Sequence, residues 1–286
     1  MGERRFHVVS PGRRFALEGG GHLDHVVVAY ETWGRLNAEG SNAVLVCHAL
    51  TGDSHAAGRS SEAHPGPGWW DPLIGVGRAL DTRDCFVVCA NVLGGCQGST
   101  GPASVNPATG KPYGSAFPVV SIRDMVRAQA SLADALGVGA WAQVVGGSMG
   151  GMQALEWSVM YPRRVRSAVF ASTTTEASAQ QIAWSHIGRM AVQSDPRYAG
   201  GDYYDAADGD GPHRGLAVAR MAAQVTYRSD EVFTQRFGRT VLNQLEFSLD
   251  PTFDIEGYLD YHGLKLVRRF DANSYVYLNR AMDLHD

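Results

Sequence analysis

Val144-Val145-Gly146-Gly147-Ser148-Met149-Gly150-Gly151 is the stretch that decides how this chain is read. It contains the pattern G-x-S-x-G. A short apolar run, 142–145, precedes it, and a helical pattern follows over 151–161 until Pro162 stops it. A serine between a buried strand and a helix sits where a nucleophile elbow must sit. Such a turn forces Ser148 into a sparsely populated backbone conformation. Small residues at 146 and 150 let strand and helix pack closely enough to permit it. The hydroxyl then stands at a helix N-terminus, where backbone N–H groups and the macrodipole favour a developing oxyanion. The pattern therefore predicts nucleophilic catalysis through Ser148.

Strand and helix patterns extend outward from this turn. Residues 43–47 (Ala-Val-Leu-Val-Cys) and 86–90 are continuous apolar runs, as expected of strands buried on both faces. Residues 26–31 alternate and predict an early antiparallel strand, and 165–171 predict a further strand. Ser121 reads as an N-cap with Asp124 at the third helical position. Met125, Ala128, Leu132 and Leu136 then keep a helical stripe that Gly137 ends. Strands separated by helices predict an α/β fold with a mostly parallel sheet flanked by helices. After Thr173 the pattern changes. Residues 176–286 read as a mainly helical insertion, with 199–214 as an exposed loop, and 1–175 as the core domain.

Composition narrows the function classes. Lys and Arg total 25 against 29 Asp and Glu, a net charge of −4, and no five like charges run together. That argues against a nucleic-acid partner and against a polybasic membrane anchor. At 44% hydrophobic and 19% charged, the chain can bury a sizeable core. The 34 glycines among 286 residues exceed the ~7% average and imply many tight turns. Residues 135–155 carry no charge and would suit a membrane span by length alone, but Gly137, Gly139, Gly146, Gly147, Gly150 and Gly151 break them into helix end, strand and turn. The start, Met-Gly-Glu-Arg-Arg-Phe, lacks the apolar segment of a signal peptide. Cys47, Cys85, Cys89 and Cys96 form no CxxC pair and fit neither a disulfide framework nor a zinc knuckle. A reducing cytoplasm is the expected compartment.

An oxyanion hole needs two donors. One is expected from the residue after the nucleophile, Met149, and the other from a loop after an earlier strand. His48-Ala49-Leu50-Thr51-Gly52 follows the 43–47 strand directly, which makes Leu50 the second donor. His48 reads as a histidine shaping the strand end rather than as a base. His48, His55 and Asp53 lack the spacing of a metal motif, so no metal is expected. Trp69-Trp70 reads as core or pocket wall.

Four segments together resemble one family: Tyr30-Glu31-Thr32-Trp33-Gly34, His48 to Gly52, Asn91-Val92-Leu93-Gly94-Gly95-Cys96-Gln97-Gly98-Ser99-Thr100-Gly101-Pro102, and Gly146 to Gly151. They are similar to homoserine O-acetyltransferases, across essentially the whole chain. The resemblance implies an α/β-hydrolase fold with a helical lid. It also implies acetyl transfer from acetyl-CoA to the L-homoserine hydroxyl through an acyl-Ser148, in methionine biosynthesis, by a cytoplasmic homodimer. Acetyl-CoA is then a co-substrate and no cofactor is expected. Carried across, Arg220 in Gly215-Leu216-Ala217-Val218-Ala219-Arg220-Met221 matches the arginine that holds the homoserine carboxylate. Tyr227 in Val225-Thr226-Tyr227-Arg228 matches a tyrosine of the same pocket, and Thr51 is a further substrate-binding candidate. In this family the triad Asp and His follow two more core strands. The residues after Ser148 show no histidine behind a strand-like run (His186, His213, His262 and His285 are the candidates). The expectation is a chain lacking the last core strands and the triad Asp and His, with impaired activity. A succinyl donor, a serine acceptor, a serine esterase and an inactive truncated form stay open.

Overall fold

A computed structural model describes residues 3–9, 11–62, 64–207, 210–242, 249 and 253–286. Eight strands are present among them: β1 (Arg5–Val9), β2 (Phe15–Ala16), β3 (His22–Leu23), β4 (Val26–Trp33), β5 (Ala43–Cys47), β6 (Phe86–Ala90), β7 (Gln143–Gly147) and β8 (Ala168–Ala171). The seven α-helices are α1 (Ile122–Ala135), α2 (Met149–Met160), α3 (Ala179–Gln193), α4 (His213–Thr226), α5 (Asp230–Arg236), α6 (Asp254–Val267) and α7 (Ala272–Asp283). The described residues divide into two compact units, 1–177 with 277–286, and 178–276. This moves the expected boundary. The helical insertion ends at 276, and the last ten residues return to the first unit rather than staying in the second.

The first unit holds a six-stranded sheet in the order β1-β4-β6-β5-β7-β8. β5 runs parallel to β6 and to β7, and β7 runs parallel to β8. β4 is antiparallel to both of its neighbours, β1 and β6. The strands at 43–47 and 86–90 fall where the apolar runs place them, and every residue in both is buried. Their core partners include Trp33, Ala56, Ile74 and Val145, with Trp69 and Trp70 packed against the cluster. β8 differs from the expectation. It is shorter, at Ala168–Ala171, and Val169 and Phe170 stay exposed. Val165 reaches Trp141 only through an isolated bridge.

Helix α1 begins as its sequence dictates. The Ser121 hydroxyl accepts from the Asp124 N–H at 3.1 Å, and the Asp124 carboxylate accepts from the Ser121 N–H at 3.0 Å. This reciprocal cap satisfies two otherwise orphaned donors. Asp124 also accepts from the Glu18 N–H, tying α1 to the N-terminal segment. Helix α2 starts two residues earlier than its pattern suggests, at Met149, because the turn at Ser148 is completed within a single residue. The segment 135–155 comprises the end of α1, then β7, the turn and α2. Among the described residues no helix is long and apolar enough to cross a membrane.

In the second unit α4 packs between α3 and α6. Residues 199–214 are not one exposed loop. Tyr203 and Tyr204 donate to the Asp271 carboxylate at 2.6 and 3.1 Å, and α4 begins at His213.

Candidate active site

Ser148 is the hinge between β7 and α2. Its backbone lies at φ 56°, ψ −125°, in the left-handed half of conformational space. A non-glycine residue held there costs on the order of 1–3 kcal/mol. Backbone hydrogen bonds hold it, among them one from the Gly151 N–H to the Ser148 carbonyl at 2.8 Å. The Ser148 N–H donates to the Ala171 carbonyl at 3.0 Å, and the Ser148 carbonyl accepts from Met152 N–H at 3.1 Å and from the Thr173 hydroxyl at 2.8 Å. Two glycines make room. A Cβ at Gly146 would overlap the Gly150 carbonyl, and one at Gly150 would overlap the Cys47 carbonyl at the end of β5. The serine side chain is left exposed at the start of α2.

The loop after β5 is built around His48, which is 1% exposed. Val92 N–H donates to His48 Nε2 at 3.1 Å, so that nitrogen offers its lone pair and the ring proton sits on Nδ1. Nδ1–H then donates to the Ala49 carbonyl at 2.8 Å. Burial pushes the His48 pKa below its ordinary value, which keeps the imidazole neutral. His48 thus ties the end of β5 to the segment after β6, and the Ala49 carbonyl also accepts from Gly52 N–H at 2.8 Å. Among the described residues neither Leu50 N–H nor Met149 N–H donates to a protein acceptor. Leu50 and Thr51 lie on this tight turn and are half-buried.

Among the described residues of this unit no histidine is hydrogen-bonded to the Ser148 hydroxyl. His285 lies 3.4 Å from the Glu156 carboxylate, in a buried pair. Cys47 and Cys89 are buried thiols whose pKa burial raises, so they are poor nucleophiles.

Glu31, His55 and His64 bring three ligand atoms within 4.8 Å of one another, a set the sequence spacing did not group. Arg4 donates to His64 Nδ1 at 3.1 Å, which leaves the ring proton on Nε2, facing Glu31 at 3.4 Å. His55 Nδ1 and the Ser54 hydroxyl also donate to Glu31, each at 2.9 Å. The two imidazoles stack at 3.8 Å with planes 7° apart. In this arrangement both imidazoles and the Ser54 hydroxyl face the one Glu31 carboxylate.

Arg220 and Tyr227 belong to the second unit. The guanidinium lies 5.5 Å over the Tyr227 ring, and Nη1 donates to its hydroxyl at 3.3 Å. Guanidinium groups only donate, so the Gln224 amide turns its oxygen towards Arg220. It then accepts from Nε at 3.0 Å and from Nη2 at 2.6 Å. One N–H remains on each terminal nitrogen, an edge that matches a carboxylate.

A strand ending in a strained serine, followed at once by a helix within a mainly parallel sheet, defines an α/β-hydrolase fold, and a family model of that fold matches residues 42–270. Homoserine O-acetyltransferase of Moorella thermoacetica is 54% identical over 271 residues, covering 94% of this chain and 72% of that protein. Homoserine O-succinyltransferase of Halorhodospira halophila is 51% identical, covering 93% and 70%. The crystal structure of esterase E22 superposes with a TM-score of 0.87 at 32% identity, covering 99% of this chain and 78% of that one. The chain belongs to the homoserine O-acetyltransferase family.

Proposed function

We propose that this protein transfers an acetyl group from acetyl-CoA to the hydroxyl of L-homoserine through an acetyl-Ser148 intermediate, a step of methionine biosynthesis. The exposed Ser148 hydroxyl on a strained elbow, with unpartnered N–H groups at Met149 and Leu50, carries the proposal. In the first half-reaction Ser148 Oγ bonds to the thioester carbonyl carbon, its proton passes to the triad histidine that the family resemblance implies, and the two N–H groups hold the oxyanion. The C–S bond then breaks and the CoA thiolate leaves, taking up a proton. In the second half the homoserine hydroxyl attacks the acetyl-serine, giving the O-acetyl product and restoring Ser148. Arg220 binds the homoserine carboxylate through its remaining N–H edge, with Gln224 fixing that edge and Tyr227 beside it. Thr51 contacts substrate next to Leu50. This chemistry uses no metal or redox cofactor, and the enzyme works as a cytoplasmic homodimer.

Initial rates with both substrates varied test the scheme. Parallel double-reciprocal lines and O-acetylhomoserine as product support it, and CoA release that does not respond to homoserine refutes it. The succinyltransferase relative supports a second reading, with succinyl-CoA as donor. The ratio of kcat/KM for the two thioesters separates the two. Light scattering of the purified protein tests the dimer.

A further inference from the structure

Beneath the elbow runs a line of three buried side chains that the acyl-transfer scheme leaves unused: Trp157, Gln129 and Gln153, at 0%, 2% and 0% exposure. Trp157 Nε1–H donates to Gln129 Oε1 at 2.8 Å. Gln129 Nε2 donates to Gln153 Oε1 at 2.7 Å. Gln153 Nε2 donates to the His48 carbonyl at 3.3 Å and to the Met149 carbonyl at 3.2 Å. An indole N–H can only donate. It therefore fixes which end of Gln129 faces it, and that in turn fixes which end of Gln153 faces outward. The chain has one polarity, and it ends in two N–H groups aimed at two carbonyls.

Those carbonyls have significant positions. One belongs to His48, at the start of the loop that carries Leu50. The other belongs to Met149 itself. The two expected oxyanion donors come from separate parts of the chain, and Gln153 is bonded to both parts. We infer that Gln153, oriented by Gln129 and Trp157, is a positioning residue. It sets the Leu50-bearing loop against the first turn of α2, so that both N–H groups meet one oxyanion. It touches no reacting atom. The inference rests on the proposed role of Ser148, Leu50 and Met149, and goes beyond it by naming what aligns the two donors.

The direction of the chain gives the test. Gln153→Leu removes both donors at similar volume, and Gln153→Glu keeps the shape but turns acceptor oxygens on two carbonyls. Trp157→Phe deletes the N–H that sets the polarity, together with part of the indole's buried volume. Losing an oxyanion donor outright costs about 10²–10³ in kcat. Misalignment is expected to cost about 10–100-fold for the Gln153 variants and about 3–10-fold for Trp157→Phe. KM for the thioester should stay within about threefold, while affinity for a boronic acid that forms a tetrahedral adduct on Ser148 falls with kcat. A merely structural role would lower the melting temperature without this split. Folded variants that keep kcat within about twofold, or that lose KM instead, overturn the inference. Should the Gln153 variants fail to fold, Trp157→Phe decides alone by the same criteria. Hydrogen–deuterium exchange gives a readout that does not depend on turnover. Exchange over 48–52 should quicken in Trp157→Phe while 43–47 stays protected. Unchanged exchange at 48–52 overturns the inference even if the wild-type protein proves to act on another substrate.

Discussion

The Ser148 elbow and the Arg220 helix are two ways of placing a functional group. At the elbow the backbone does the work. Gly146 and Gly150 admit the close approach, the Ala171 and Thr173 bonds hold the strained residue, and the side chain is left exposed. At Arg220 the backbone is ordinary helix. Position there comes from side chains, with Gln224 on one edge of the guanidinium and the Tyr227 ring beneath it. The first arrangement is rigid and intolerant of change. The second is adjustable, because Arg220 is half-buried and Tyr227 is 59% exposed. Under the proposed function, acyl transfer rests on a fixed backbone at Ser148 and acceptor binding on adjustable side chains at Arg220 and Tyr227.

The comparison can be broken most sharply at Ser148. Ser148→Ala is expected to abolish acetylation of the protein by acetyl-CoA without changing the fold, measured by acetyl incorporation and circular dichroism. Next comes Gly146→Ala, where the added methyl meets backbone that cannot move aside. A loss of about 4 kcal/mol or more is expected in urea unfolding, or no folded protein at all. A mild effect there would mean the elbow is no more rigid than the helix. Arg220→Lys probes the other side. Losing the planar fork should raise KM for homoserine by about 10–100-fold and leave the acetylation half-reaction untouched. A matching fall in acetylation rate would erase the distinction between the two regions.

Acid stability sharpens the same contrast more gently. Burial lowers the His48 pKa, so the native state keeps this imidazole neutral while the unfolded chain protonates near pH 6.5. The unfolded state then binds more protons, and stability is full above about pH 6.5 and falls below it. His64 is lowered as well, mainly by burial, and adds in the same direction. Melting temperature should therefore drop between about pH 7.5 and 5.5, and His48→Gln should flatten part of that drop. Tyr227→Phe is the smallest change. It should alter KM for homoserine by about two- to fivefold, since one long hydrogen bond and little packing are lost.

The sequence reveals these two regions unequally. Periodicity and apolar runs locate β5, β6, α1 and the elbow because each depends on local rules: two-face burial, a Ser121–Asp124 cap, and glycine beside a strained turn. Gln129, Gln153 and Thr173 escaped because a polar residue on an amphipathic helix or loop looks solvent-facing until its partner is known. Glu31, His55 and His64 escaped for a related reason, since long-range folding brings strand and loop together. Arg220 and Tyr227 are candidates only through family resemblance, because helical spacing alone does not distinguish a ligand-binding arginine from a surface one. The exposed face of β8 does not follow from its composition, because apolar residues predict burial, whereas exposure depends on which elements cover the strand.

The most direct test is to mix the protein with acetyl-CoA in the absence of homoserine, quench in acid, and map the modified peptide by mass spectrometry. One acetyl group on Ser148, lost on adding homoserine and absent in Ser148→Ala, is the expected result. Folded protein that moves acetyl to homoserine while Ser148 stays unmodified, with Ser148→Ala equally active, would contradict the account.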